Sequence, residues 1–178
     1  MKLLGLLRHA KSDWEDLSLR DFDRGLNARG RRGAALMGDH IRNHGVKWER
    51  LVASPAERVK LTLEASGIGG PVEWERDAYL ADADTLLTLL RKTEGDPRSL
   101  LMAGHNPGLQ ELIFLLVGDG EQDELYDAAA RKYPTATYAV LELAIDDWAD
   151  IAPGCGKLIH FARPRDLDPE LGPERLGF

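Results

Sequence analysis

Five consecutive apolar residues, Leu3-Leu4-Gly5-Leu6-Leu7, stand near the start of this chain and give way at once to Arg8 and His9. The run is short, and it is apolar at odd and even positions alike. It therefore predicts a strand buried on both faces, as in parallel sheets covered by helices, rather than a half-exposed one. In open α/β sheets ligands bind in the crevice beyond the carboxyl ends of the strands, so Arg8 and His9 fall where chemistry would be built. A neutral imidazole is a competent nucleophile, and an adjacent guanidinium can bind phosphate oxygens through its fork of donors. An Arg-His pair at a strand end is also what a solvated sheet edge looks like, so the pair alone decides nothing.

Similar apolar runs recur at Leu51 to Ala53, Val72 to Trp74, Leu100 to Ala103, Ala139 to Ile145 and Leu158 to Ala162. Helical patterns lie between several of them. Asn27 reads as the cap of a helix running to about Asn43, with Ala34, Met37 and Ile41 on one face and Gly45 as its stop. Ala56 to Ala65 reads as a second helix, opened by Pro55 and closed by Gly67. Asp82 or Asp84 caps a third that carries Leu86, Leu87, Leu89 and Leu90, and Pro107 starts a fourth that includes Leu109, Leu112, Ile113, Leu115 and Leu116. This alternation predicts an α/β three-layer sandwich, a mainly parallel central sheet with helices on both faces. The acidic stretch Asp119 to Asp127 reads as a short helix or a surface loop, and the tail from Pro164 onward as poorly patterned chain that wraps the surface or frays.

At 178 residues, and with no linker or repeat, the chain is expected to be one domain, residues 1–178, with a sizeable core. Its formal charge of −7 argues against non-specific nucleic-acid binding, which needs a basic face. Any anion site must be made locally. The single Cys155 excludes an internal disulfide and a cysteine zinc cluster, which favours a reducing cytoplasm. No run approaches the length of a membrane span and none resembles a signal peptide, so no membrane association is expected.

Two further segments repeat the geometry of Arg8-His9. Ser54-Pro55-Ala56-Glu57-Arg58 follows the strand-like Leu51 to Ala53 and opens a helix, with Arg58 in its first turn. Gly104-His105-Asn106-Pro107-Gly108 follows Leu100 to Ala103 and leads into another, which sets His105 just before a helix N-terminus where anions are favoured. Each has a plainer reading: Arg58 as a surface residue pairing with Glu57 or Glu64, His105 as a turn histidine bonded to backbone. Taken together, two arginines and two histidines lie at carboxyl ends of separate parallel strands on one edge of one sheet. They can converge on one tetrahedral anion.

At this point the motifs resemble a known family. Leu6-Leu7-Arg8-His9-Ala10, the Ser-Pro-x-x-Arg-x-x-x-Thr pattern from Ser54 to Thr62, and Gly104-His105-Asn106-Pro107 are similar in order and spacing to the histidine phosphatase superfamily, the family of the phosphoglycerate mutases. More narrowly, Arg8 to Trp14, Asp21 to Gly30 and Tyr133-Pro134-Thr135-Ala136 resemble its short SixA-type phosphohistidine phosphatase branch, over residues 3 to about 163. The resemblance implies a phosphoglycerate mutase-like fold and a metal-independent phosphatase that needs no cofactor. It implies His9 as the nucleophile, with its other ring nitrogen held by a backbone carbonyl. Arg8 and Arg58 would clamp the phosphoryl oxygens, and His105 would complete the clamp, protonated when phosphate is bound. Arg24 is a further candidate for a substrate contact, with a salt bridge to Asp21 or Asp23 as its plainer role. The expected partner is a phosphorylated protein or a small phosphorylated molecule.

Two departures qualify the match. The family's first motif usually ends in glycine, where this chain has Ala10, a change that keeps the side chain small. No proton-donating carboxylate can be placed after the second arginine: Glu75, Asp77, Asp82 and Asp84 lie in the right region, but Asp82 and Asp84 have a ready role as helix caps. An alcohol leaves badly without a general acid, whereas imidazole, with a pKa of about 6.5, leaves readily once protonated. The missing acid therefore favours cleavage of a P–N bond. Two alternatives stay open: a small-molecule phosphomonoesterase for sugar or nucleotide phosphates using an acid from Glu75 to Asp84, and a non-catalytic phosphate-binding module. His40 and His44 stand at i, i+4 spacing, but with no third ligand evident they read as a solvated helix face rather than a metal site. His160 reads as a facing or edge residue of its strand.

Overall fold

In a computed structural model, which describes residues 1–172, the apolar runs become one six-stranded sheet. Its strands are β1 (Lys2–Arg8), β2 (Arg50–Ala53), β3 (Val72–Trp74), β4 (Ser99–Gly104), β5 (Tyr138–Leu143) and β6 (Gly156–Ala162), in the order β3-β2-β4-β1-β5-β6. β1, β2, β3 and β4 run parallel, whereas β5 pairs antiparallel with both β1 and β6. The sheet is thus mainly parallel, with one reversed strand that apolarity alone does not reveal.

Two apolar layers sandwich the sheet. Leu4 and Leu6 of β1 face a core shared with α3 (Ala83–Arg91), α4 (Gly108–Leu116) and α5 (Glu124–Arg131), while Leu7 faces α1 (Ala28–Asn43) and α2 (Glu57–Ser66). The alternation follows from the two-residue period of a strand, and burial of both faces is why the run carries no polar residue.

The helix boundaries have local causes. Asn27 accepts from Gly30 N at 2.8 Å and caps α1; Asp82, not Asp84, caps α3 by accepting from Thr85 N at 2.8 Å. Gly67, with φ of 67°, closes α2 in the left-handed region that glycine tolerates. The acidic stretch splits into a short 3-10 turn at Asp119–Glu121 and α5, which Asp123 caps through Tyr126 N and which continues to Arg131 because Ala129 is buried against the core. After α6 (Pro164–Leu167) the chain crosses α1, where Arg32 pairs with Asp168 and Glu170. The tail thus wraps the surface as far as residue 172, and the remainder of that expectation lies outside the described residues.

Candidate active site

The register aligns three strand ends. Arg8 lies opposite Gly104, and Ala53 lies opposite Ala103, so the residues that follow β1, β2 and β4 emerge on one edge. There His9 and His105 approach with ring centroids 5.3 Å apart, and Arg58 Nη2 lies 3.3 Å from His105 Nδ1. Arg8 acts electrostatically on both His9 and His105, and on Arg58. The four residues expected to meet do meet.

His9 is buried, and its Nδ1 lies 2.7 Å from the carbonyl oxygen of Ala10. A carbonyl can only accept, so Nδ1 carries the hydrogen and Nε2 keeps its lone pair. Burial, with Arg58 and Arg8 adding to it, lowers the His9 pKa to about 4 despite the opposing pull of the Ala10 carbonyl. The ring is therefore neutral near pH 7.

His105 is held from both sides. Its Nε2 lies 2.7 Å from Ser54 Oγ, and because a guanidinium can only donate, Nδ1 accepts from Arg58 and Nε2 bears the hydrogen. Burial first, then His9 and Arg58, lowers its pKa to about 3. As the site stands, His105 is neutral; protonation requires an anion close enough to reverse that balance.

The two arginines are positioned differently. Arg8 donates Nη1 to Tyr133 O at 2.9 Å, and its Nε is buried without a partner. Arg58, in the first turn of α2 and buried, donates to the backbone oxygen of Asp21 at 2.8 Å and to its carboxylate at 3.0 Å. Thr62, one turn further along α2, ties the two halves of the site together: its hydroxyl accepts from Ala10 N at 2.8 Å and donates to Arg58 O at 2.6 Å.

Sequence reasoning did not identify Asp21 and Tyr79 as members of the site. The Tyr79 hydroxyl donates to the Asp21 carboxylate, and its ring packs edge-on to His105 at 5.3 Å. Partial burial works against the Asp21 charge, but the hydrogen bonds from Tyr79 and Arg58 outweigh it and hold the carboxyl below its usual pKa. Asp21 is thus an ionised acceptor near neutral pH, not a proton donor. Its only advance signal was its place in the Asp21 to Gly30 motif; Tyr79 had none.

The other candidates make no bond to the four residues that meet. Arg24 is buried, but it donates to the carbonyls of Asp16 and Leu19 at 2.9 and 3.1 Å and stacks on Trp14 at 4.1 Å, so its guanidinium braces the loop and makes no bond to the four clustered residues. Its alternative salt bridge does not form either, because Asp21 pairs with Arg58 and Asp23 with Arg20. Glu75, Asp77, Asp82 and Asp84 make no hydrogen bond or ion pair to Arg8, His9, Arg58 or His105, and Asp82 is occupied as the α3 cap. His160 brings its Nε2 to 2.8 Å from His40 Nε2, and its ring stacks on His44 at 3.8 Å, so the supposed solvated helix face is a three-histidine cluster. Among the described residues no group of His, Cys, Asp or Glu side chains is arranged to hold a metal ion.

Neutral imidazoles and guanidiniums gathered at the carboxyl edge of this sheet define the class, a phosphatase centre built on a phosphoglycerate mutase-like fold. The sequence pattern of the histidine phosphatase superfamily (branch 1) matches residues 4–86. An uncharacterised protein of Mycobacterium tuberculosis is 33% identical over 160 residues, covering 89% of this chain and 100% of that protein. Two solved structures assigned as SixA phosphohistidine phosphatases are each 27% identical. That from Nakamurella multipartitia superposes with a TM-score of 0.80 over 92% of this chain and 96% of its own, and that from Agrobacterium tumefaciens with 0.73 over 92% and 98%. The chain belongs to the histidine phosphatase superfamily, in its SixA-type branch. No described helix is long and apolar enough to cross a membrane.

Proposed function

We propose that the protein is a metal-independent phosphohistidine phosphatase in which His9 is the nucleophile. The observation that carries this reading is the bond from His9 Nδ1 to the Ala10 carbonyl, 2.7 Å long, which leaves Nε2 unprotonated beside two guanidiniums. Nε2 attacks phosphorus in line; the new P–Nε2 bond forms as the P–N bond of the substrate breaks, and the departing imidazole takes up a proton from solvent. The positive charge that develops on His9 is held by Ala10 O through the Nδ1 hydrogen. Water then attacks phosphorus, the P–Nε2 bond breaks, and phosphate leaves.

Phosphoryl transfer depends mainly on positioning and charge neutralisation. Arg8 and Arg58 supply the charge, and the buried, unmatched Nε of Arg8 is a donor that a phosphoryl oxygen satisfies. His105, between Ser54 and Arg58, completes the clamp; a dianion beside it raises its pKa and favours the doubly donating form. The nearest carboxylate bonded into the site, Asp21, is ionised and spoken for by Arg58 and Tyr79. This favours an imidazole leaving group, which needs no strong acid, over an alkoxide, which does.

The test is a short incubation, with chelator present, of wild type and His9→Ala against labelled phosphohistidine peptide, phosphoserine peptide and a sugar-phosphate panel. Rapid phosphate release from phosphohistidine alone, abolished in the variant, is expected. Turnover of sugar phosphates only refutes the P–N preference, and activity surviving in His9→Ala refutes the nucleophile.

A further inference from the structure

Between β1 and α1 the chain makes a loop that is closed at its base and inverted in its packing. Ser12 and Leu26 pair as an antiparallel bridge, and Asp13 N donates to Gly25 O at 2.8 Å, so residues 13–25 form one closed unit. Of these residues only Arg24 is buried; it donates to the carbonyls of Asp16 and Leu19 and stacks on the Trp14 ring. The leucines stand outside: Leu17 is 79% and Leu19 42% exposed. Stability alone favours the reverse, since a buried guanidinium with no bonded carboxylate is costly and an exposed leucine gains no burial.

The loop adjoins the phosphoryl clamp. Asp21, two residues beyond Leu19, holds Arg58 through its carbonyl and carboxylate, and its side chain is 44% exposed, which places the edge of the clamp at the surface here. Tyr79 donates its hydroxyl to the same carboxylate and packs its ring edge-on against Phe22 at 5.1 Å, which sets its chain neighbour Leu80 beside the same edge. Leu80 is 55% exposed and has a φ of 50°, a left-handed conformation that leucine adopts only at a cost. Among the described residues eight large apolar side chains are exposed, and four of them, Trp14, Leu17, Leu19 and Leu80, fall in these two segments. Scattered exposed leucines need no explanation, but a group gathered at the edge of a reaction centre marks a contact surface.

We propose that Leu17, Leu19 and Leu80 form an apolar collar at the edge of the clamp, which docks on apolar side chains flanking the phosphorylated residue of a protein substrate. The inference rests on the phosphohistidine phosphatase reading of the clamp and adds the surface that selects the substrate. The collar is continuous with the clamp through Asp21 and Tyr79, so what covers it is the molecule that brings a phosphoryl group to His9. A sugar phosphate is polar over its whole surface and gains little from leucines, whereas a protein surface has apolar side chains to lay on them. The loop is also ordered before contact. Asp13 and Asp16 accept from Glu15 N and Ser18 N at 2.9 and 3.0 Å, and Arg24 braces the turn from within, which lowers the entropy lost on docking.

The experiment compares wild type with a Leu17→Ser, Leu19→Ser, Leu80→Asn triple variant, all at exposed positions outside the clamp; asparagine tolerates the left-handed backbone at position 80. Two phosphohistidine peptides are used, identical except for Leu or Ser at the flanking positions. Phosphoramidate, which has no apolar part, reads the clamp alone, and a fluorescent, unphosphorylated Leu peptide reads the collar alone. Wild type should favour the Leu peptide about tenfold, through KM, and the preference should persist at about 1 M salt, where charges are screened beyond about 3 Å. The variant should lose the preference while hydrolysing phosphoramidate at the wild-type rate. A wild type indifferent to Leu, or a preference that survives in the variant, overturns the collar. A wild-type dimer that the variant converts to monomer also overturns it, because a second copy then covers the leucines. If sugar phosphates are hydrolysed but neither peptide is, the phosphohistidine reading fails instead. The collar is then decided by the unphosphorylated peptide: salt-insensitive binding lost in the variant supports it, and absence of binding overturns it.

Discussion

A Cβ added at Gly30 would sit 2.2 Å from the Lys11 carbonyl oxygen and 3.0 Å from the Lys11 carbonyl carbon and nitrogen. Carbon and oxygen normally approach no closer than about 3.3 Å, so Gly30→Ala forces roughly 1 Å of separation between α1 and the segment after His9. That segment cannot yield freely: Lys11 O accepts from Asn27 N at 3.1 Å, and the preceding carbonyl, Ala10 O, is the one that holds His9 Nδ1. Overpacking costs about 1–3 kcal/mol, and because the atom met is a backbone oxygen the upper part of that range, about 2–3 kcal/mol, applies; the roughly 1 kcal/mol that alanine gains over glycine in a helix leaves a net loss of about 1–2 kcal/mol. For a chain of this size that lowers Tm by about 2–8 °C. Misplacing a reacting group by about 1 Å costs up to about 100-fold in rate, so kcat/KM should fall about 10- to 100-fold. The internal control lies one turn along. At Gly33 the added Cβ would meet Ala136 Cβ at 3.8 Å and Pro164 Cγ at 4.0 Å, which are ordinary contacts. Gly33→Ala should therefore stabilise by about 0.4–1 kcal/mol. Thermal melts and steady-state kinetics of the two variants decide the matter. A Gly30→Ala protein with wild-type kcat/KM and a Tm within about 1 °C of wild type would refute the claim that α1 docking sets His9.

Thr62→Val keeps the shape of the side chain but strips the acceptor from the buried Ala10 N–H; a loss of about 1–3 kcal/mol in urea unfolding, together with reduced kcat, is expected, and unchanged kcat would remove Thr62 from the positioning of His9. Asp21→Asn removes the anion against Arg58 that an incoming phosphoryl group must tolerate, so inorganic phosphate should inhibit more strongly; weaker inhibition would mean that the carboxylate matters more for aiming Arg58 than for its charge. Stability should also depend on pH through the histidines. Burial holds His160 at about 4, with His44 and His40 adding to the effect, and it lowers His40 as well; His9 and His105 lie at about 4 and about 3. The unfolded chain protonates these rings below about 6.5 while the folded one does not, so stability is full above that pH and falls as the pH drops toward 4. Denaturation midpoints at pH 7, 6 and 5 test this, and His160→Gln should flatten part of the slope; a midpoint unchanged across that range contradicts the burial argument.

Much of the architecture could be read in advance because its causes are local. β1 was legible from five apolar residues, and the caps at Asn27, Asp82 and Gly67 from side chains acting within three or four positions. The clamp was legible for the same reason: Arg8, His9 and His105 stand at the ends of strand-like runs and Arg58 in the first turn of the helix that follows one, and strand ends on one edge of a parallel sheet face one crevice. Arg24 escaped this logic, since its partners are the carbonyls of its own loop, whose path depends on Trp14 stacking over the guanidinium.

Pairing between distant segments has no local signature. The direction of β5 beside β1, the meeting of Asp21 with Arg58 and Tyr79, and the contact of His160 with His40 join residues 37, 58 and 120 positions apart in the last three cases. The amino-acid sequence determined which stretches are strands and helices, where they end, and which groups stand at the strand tips, because periodicity and capping act over a few residues. Only the tertiary structure decided which carboxylate reaches the clamp and which imidazoles stay neutral. Those outcomes depend on burial and on charges brought together by packing, and a residue's neighbours in the chain carry neither.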